Sequence, residues 1–96
     1  MAAYLIADIE ITDPEAFERY RTQVPATIAA HGGRYLVRGG ALDAVEGDWN
    51  PKRLVVLEFP SMERLRKWYE SPEYQPLLAL RLAATVSKTV TVEGIG

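Results

Sequence analysis

His31 is the only histidine in the chain. Its ordinary pKa near neutrality suits it to move a proton as general acid or base. The same residue at a helix end would simply satisfy carbonyls and favour the negative helix terminus. No cysteine and no second histidine complete a nucleophilic arrangement around it. Arg38 carries a planar fork suited to a carboxylate or phosphate. Regular alternation along the strands puts Asp8 and Glu58 on the same sheet face as Arg38, so an internal ion pair and a ligand contact are both open to it; Glu46 is a third acidic partner. Tyr74 follows a break in helical pattern, and its hydroxyl is the best aromatic candidate for a pocket contact. His31 is thus the candidate catalytic group, with Asp8, Arg38, Glu58 and Tyr74 as candidate substrate contacts. Helical spacing alone accounts for Tyr20 and Trp68 as core, and Tyr69 reads the same way. Trp49, in a Gly/Asp loop, reads as a pocket lid or a dimer contact, and Arg81 as a tie to an acidic neighbour.

Other chemistries find no support. One histidine among scattered carboxylates does not make a transition-metal site. The glycine pairs lack the Gly-Lys-Ser/Thr of a phosphate loop and the Gly-x-Gly-x-x-Gly of a dinucleotide site. No cofactor is therefore expected. A formal net charge of −2 offers no basic field for nucleic acid or an anionic membrane. No apolar run is long enough to span a bilayer, and Met1-Ala2-Ala3 leads directly into Tyr4-Leu5-Ile6 without the pattern of a signal peptide. With no cysteine as well, a cytoplasmic protein is the expectation.

The elements that must position these residues follow from periodicity. Ninety-six residues make one domain. Tyr4 to Ile11 alternates, with Leu5, Ala7, Ile9 and Ile11 on one face and Tyr4, Ile6, Asp8 and Glu10 on the other. Thr12 or Asp13 caps a helix whose buried stripe is Phe17, Tyr20, Val24 and Ile28, with His31 next along it. Pro25 should kink or split that helix. Gly32 suits the left-handed position beyond its end. A strand from Arg34 to Arg38 follows, with Tyr35 and Val37 on one face and Arg34, Leu36 and Arg38 on the other. Ala41 to Val45 is a candidate short strand. Arg53 to Phe59 is the strongest strand, apolar on both faces and so central. Ser61 caps the next helix, whose stripe is Met62, Leu65, Trp68 and Tyr69, with Glu63–Lys67 and Arg66–Glu70 as solvent-side pairs. Ser71-Pro72-Glu73 starts another segment, Pro76 should break it early, and Leu77, Leu78, Arg81 and Leu82 continue it. Thr85 to Glu93 is the last strand.

The simple solution is α+β: about four antiparallel strands in one sheet with the helices on one face. The other face carries Tyr4, Ile6, Leu36, Leu54 and Val56, too apolar for open water. A second copy packed across it, sheet against sheet, would cover it.

A family pattern runs along nearly the whole chain. Its parts are Tyr20, Val24-Pro25-Ala26, His31-Gly32-Gly33, Arg38-Gly39-Gly40, Glu46-Gly47, Pro51, Arg53, Glu58-Phe59, Trp68-Tyr69, Ser71-Pro72-Glu73-Tyr74-Gln75 and Arg81. Together they resemble the DUF1330 family. The resemblance implies a ferredoxin-like βαββαβ fold in the superfamily of dimeric α+β barrels, which includes small monooxygenases, isomerases and haem-dependent relatives. It implies no particular activity. Leu65 departs from the pattern, which has a small residue there; the difference bears on helix packing.

Three readings follow. In the first, a homodimer with one pocket per subunit performs cofactor-independent isomerase, lyase or oxygenase chemistry on a small organic acid or enone, with His31 moving the proton and Arg38 holding an anionic or enolate-like group. In the second, the same dimer binds a metabolite without catalysis. In the third, it is a structural or partner-binding module with no ligand. Polar groups with apolar neighbours on one sheet face favour the first.

Overall fold

The computed structural model describes residues 1–96. The chain runs β1 (Ala3–Ile11), α1 (Pro14–Ala30), β2 (Arg34–Arg38), β3 (Leu54–Phe59), α2 (Met62–Tyr69), α3 (Gln75–Ala84) and β4 (Thr85–Glu93). The four strands form one antiparallel sheet in the order β2-β3-β1-β4. This is the ferredoxin-like α+β arrangement, with β1 and β3 at its centre.

Alternation in β1 and β3 sorts the two faces. Ala3, Leu5, Ala7 and Ile9 are buried together with Val55, Leu57 and Phe59, beneath the helices. Asp13 caps α1 by accepting a hydrogen bond from Ala16 N at 3.2 Å, and Pro14 occupies the first turn, where a missing N–H costs nothing. Phe17, Tyr20, Val24 and Ile28 are its buried stripe, as their spacing requires. Ser61 caps α2, accepting from Arg64 N at 3.1 Å. Of the two expected solvent-side pairs, Glu63–Lys67 approaches to 3.7 Å, and Arg66–Glu70 is not formed.

Several local expectations are corrected. Pro25 does not split α1, which is continuous around it. Pro76 does not break α3; it sits in the first turn, where its fixed φ starts the helix. Ser71 therefore caps nothing longer than a turn: its Oγ donates to Trp68 O at 2.7 Å and accepts from Tyr74 N at 3.3 Å. Ala41 to Val45 forms no strand. The whole segment between β2 and β3 lacks regular structure, having no free ladder edge beside it except the short β2.

β2 holds the largest correction. Tyr35 pairs with Leu57, but Val37 pairs with Val56 and Arg38 with Val55, a β-bulge with one extra residue on β2. The extra residue reverses the alternation beyond it. Leu36 and Val37 both fall on the outer face, and Arg38 joins Tyr35 on the helix-covered face. Asp8 and Glu58 stay on the outer face, so Arg38 does not share their side of the sheet.

Candidate functional site

The helices do not seal the sheet. A cleft remains between α1, α3 and the inner face of β1, β2 and β3, with about 40 Å³ of free interior space, room for about three water molecules. Its deep wall is aromatic. Trp68 and Tyr74 are both almost wholly buried, with ring centroids 4.1 Å apart. Trp68 is fixed by its indole N–H, which donates to Thr27 Oγ1 at 3.0 Å, while Thr27 Oγ1 donates to Val24 O at 2.8 Å. Aliphatic groups of the sheet, among them Leu5, Ala7 and Val55, form the floor.

Two phenols meet inside the cleft. The hydroxyls of Tyr20 and Tyr74 lie 2.9 Å apart and are buried. Burial pushes the Tyr20 phenol far above its ordinary pKa, and the Tyr74 phenol pushes it further. At neutral pH Tyr20 is thus a fixed neutral hydroxyl, able to donate a hydrogen bond but not to act as a phenolate base. Arg81 lines the same cleft. Burial works against its charge, but the neighbouring phenols of Tyr74 and Tyr20 hold its pKa above the usual value.

Arg81 was expected to meet an acidic side chain. Instead its Nη1 donates to Ser87 Oγ at 2.8 Å. The reason lies in the junction: α3 passes directly into β4, and Thr85 Oγ1 folds back to donate to Arg81 O at 2.7 Å, which brings Ser87 under the guanidinium.

Three further arginines line the cleft: Arg21, Arg38 and Arg53. Arg21 is paired with Glu18 at 2.6 Å. The Arg38 guanidinium lies over the Tyr35 ring, 4.7 Å from its centroid, and its Nη2 is 3.5 Å from Arg21 O. Arg53 lies 5.6 Å from the centre of the Phe17 ring, and its Nε is buried without a hydrogen-bond partner. No carboxylate lines the cleft. Burial raises the Tyr35 phenol, and the nearby charge of Arg38 partly offsets this.

The expected site residues therefore divide. Tyr74 and Arg38 come together in the cleft, joined by Tyr20, Arg53 and Arg81, which the sequence reading assigned to core, strand or surface pairing. His31 does not line it: the residue ends α1, with Nδ1 3.0 Å from Thr27 O. Asp8 and Glu58 hold structure on the outer face. Asp8 accepts from the Trp49 indole N–H at 3.1 Å and from Lys52 N at 3.2 Å, tying the segment between β2 and β3 to β1. That contact also places Trp49 away from the cleft. Glu58 pairs with Arg34 at 2.7 Å. The Arg34 guanidinium, with a smaller contribution from Tyr4, holds the Glu58 carboxyl below its ordinary pKa. Arg53 could have been noticed in sequence as a lone cation at the start of an otherwise apolar central strand. Nothing there marks Tyr20 as different from its core neighbours.

A model of the domain of unknown function DUF1330 matches residues 2–95. The chain belongs to the DUF1330 family. No curated protein matches it. Among solved structures, this DUF1330 chain is similar to the RPA0582 protein of unknown function from Rhodopseudomonas palustris, with TM-score 0.78, 15% identity, and coverage of 99% of this chain and 83% of that one. It is also similar to a dimeric ferredoxin-like protein of unknown function from Thermobifida fusca, with TM-score 0.68, 21% identity, and coverage of 96% and 90%. SnoaB, a cofactor-independent oxygenase from Streptomyces nogalater, matches with TM-score 0.66, 12% identity, and coverage of 99% and 94%. At these identities the likeness establishes the ferredoxin-like fold. No helix of the DUF1330 chain is long and apolar enough to cross a membrane.

Proposed function

We propose that this DUF1330 protein is a homodimer whose cleft binds a small organic acid or enone and polarises its carbonyl oxygen. The observation that carries this reading is the hydrogen-bonded Tyr20–Tyr74 pair, buried within an apolar cleft beside Arg81. Neutral phenols with a neighbouring guanidinium suit developing negative charge on oxygen, as in an enolate. Hydrogen-bond donation to that oxygen then falls to the phenols, and burial keeps the Tyr20 proton in place. His31 is assigned to ending α1, where it meets a backbone carbonyl. The fold similarity to a cofactor-independent oxygenase is consistent with such chemistry on this scaffold. Binding without turnover is the second reading, and the small free volume limits both readings to compact ligands.

The dimer rests on the outer sheet face. Val86, Val90 and Val92 of β4 are 60%, 60% and 47% exposed; Val90 and Val92 lie opposite Ile6 and Tyr4 of β1, and Val86 lies opposite Glu10. Leu36, outward by alternation, and Val37, turned outward by the bulge, extend the patch at the other edge. A second copy of this face is its natural cover.

A thermal-shift series with short carboxylic acids and enones on wild type, Tyr74→Phe and His31→Ala tests the cleft. A ligand at 100 times its Kd should stabilise wild type by about 2.7 kcal/mol. The expected result is a shift retained in His31→Ala and lost in Tyr74→Phe. The reverse pattern would return the proton chemistry to His31, and no shift with any compound would remove the cleft as a binding site.

A further inference from the structure

We infer that the ligand of this cleft is a small monocarboxylate with a short hydrocarbon body, and that Arg53 is the residue that reads its charge, with Arg38 beside it. This rests on the small-molecule reading above and adds what that reading leaves open, the charge of the ligand and the group that selects it.

The cleft is lined by four arginines and no acid. Arg21 is neutralised by Glu18, and Arg81 is engaged by Ser87. Arg38 and Arg53 have no carboxylate within ion-pair distance anywhere in the chain. Arg38 has its partial contacts with Tyr35 and Arg21 O. Arg53 has less: its flank rests against Phe17, and its Nε is a buried donor with nothing to donate to. A buried unsatisfied donor on a cation is costly and calls for a partner.

Arg53 is also held in place. Gly39 N donates to Leu54 O at 2.9 Å, which brings the glycine backbone beside the start of β3. A Cβ on Gly39 would overlap the Arg53 guanidinium, so the glycine leaves the space this side chain fills. With Phe17 on another side, the fork has a fixed seat. A flat fork with a free Nε matches a planar carboxylate. The apolar walls suit a hydrocarbon body and penalise a doubly charged phosphate, and the free volume limits the body to a few carbons.

The test titrates propionate and crotonate, their neutral amides, and inorganic phosphate into wild type, Arg53→Met, Arg53→Lys and Gly39→Ala, read by calorimetry. In wild type each acid should bind at least about tenfold tighter than its amide. In Arg53→Met that ratio should fall close to one, and a cooperative thermal transition near that of wild type shows that the variant is folded. Arg53→Lys should recover part of the preference, because it keeps the charge and loses the fork. Gly39→Ala should lower the ratio by displacing Arg53. Equal binding of acid and amide in wild type, a ratio unchanged in Arg53→Met, or phosphate binding as tightly as crotonate would overturn the inference while leaving a small-molecule cleft. If neither acids nor amides bind, the cleft reading itself fails and this one with it.

Discussion

Arg38 reaches the backbone of Arg21, with Nη2 3.5 Å from its carbonyl oxygen. That oxygen lacks its helical partner because the residue four positions on is Pro25, which has no N–H. The proline thus leaves an acceptor on α1, and the bulged end of β2 places a cation against it. At this distance the hydrogen bond is weak. Pro25→Ala should supply the missing N–H and stabilise the fold by about 1–3 kcal/mol, since proline costs about 3 kcal/mol in a helix interior. Urea denaturation of wild type and Pro25→Ala checks this. A destabilised variant would show that the proline sets the path of α1 over the sheet.

The Tyr20 and Tyr74 hydroxyls should be energetically coupled. Removing one leaves the other buried without its partner, at a cost of about 1–3 kcal/mol. Tyr20→Phe with Tyr74→Phe together should cost less than the sum of the two single changes. A double-mutant cycle in urea gives the coupling directly, and strict additivity would show that each hydroxyl has another partner.

Leu36 should be dispensable to the register. Deleting one residue from a regular strand throws every later side chain to the wrong face. Here the strand already contains one extra residue, so deletion of Leu36 removes the bulge and leaves Tyr35 and Arg38 on the inner face. The deletion variant should fold with a loss of less than about 1.5 kcal/mol. Failure to fold would mean that the bulge is needed for the edge itself.

The outer face should respond to charge only when two copies meet. Val90 is exposed and sits opposite Ile6 in the ladder. Val90→Asp should convert the proposed dimer to a folded monomer in sedimentation velocity, and it should leave the proposed acid binding in the cleft intact. A dimer that survives the substitution would move the interface elsewhere.

Glu58 gives the outer face a pH dependence. Its pKa in the folded chain lies below the ordinary 4.5, chiefly through the hydrogen bond from Arg34. A carboxyl lowered on folding contributes stability that is complete above its unfolded pKa and is lost as pH falls through the folded one. The stability difference between wild type and Glu58→Gln should therefore be constant near neutrality and shrink below about pH 4. A difference that persists at lower pH would mean that the charge does not carry the interaction.

Local spacing was enough to establish the fold of this chain. The alternation of Leu5, Ala7 and Ile9, the helical stripe of Phe17, Tyr20, Val24 and Ile28, and the cap at Ser61 depend on neighbours a few positions away, and those interactions are written in order along the chain. The site was decided elsewhere. One extra residue in β2, invisible to any periodicity, carried Arg38 from the face of Asp8 and Glu58 to the face of Tyr20 and Arg53. Tyr20 and Tyr74 stand 54 positions apart, and only the packing of α1 against the start of α3 brings their hydroxyls together. Asp8 met Trp49, 41 positions away, and not an arginine. Such meetings depend on register, crossing and the course of an irregular segment, and these arise from the whole chain packing at once.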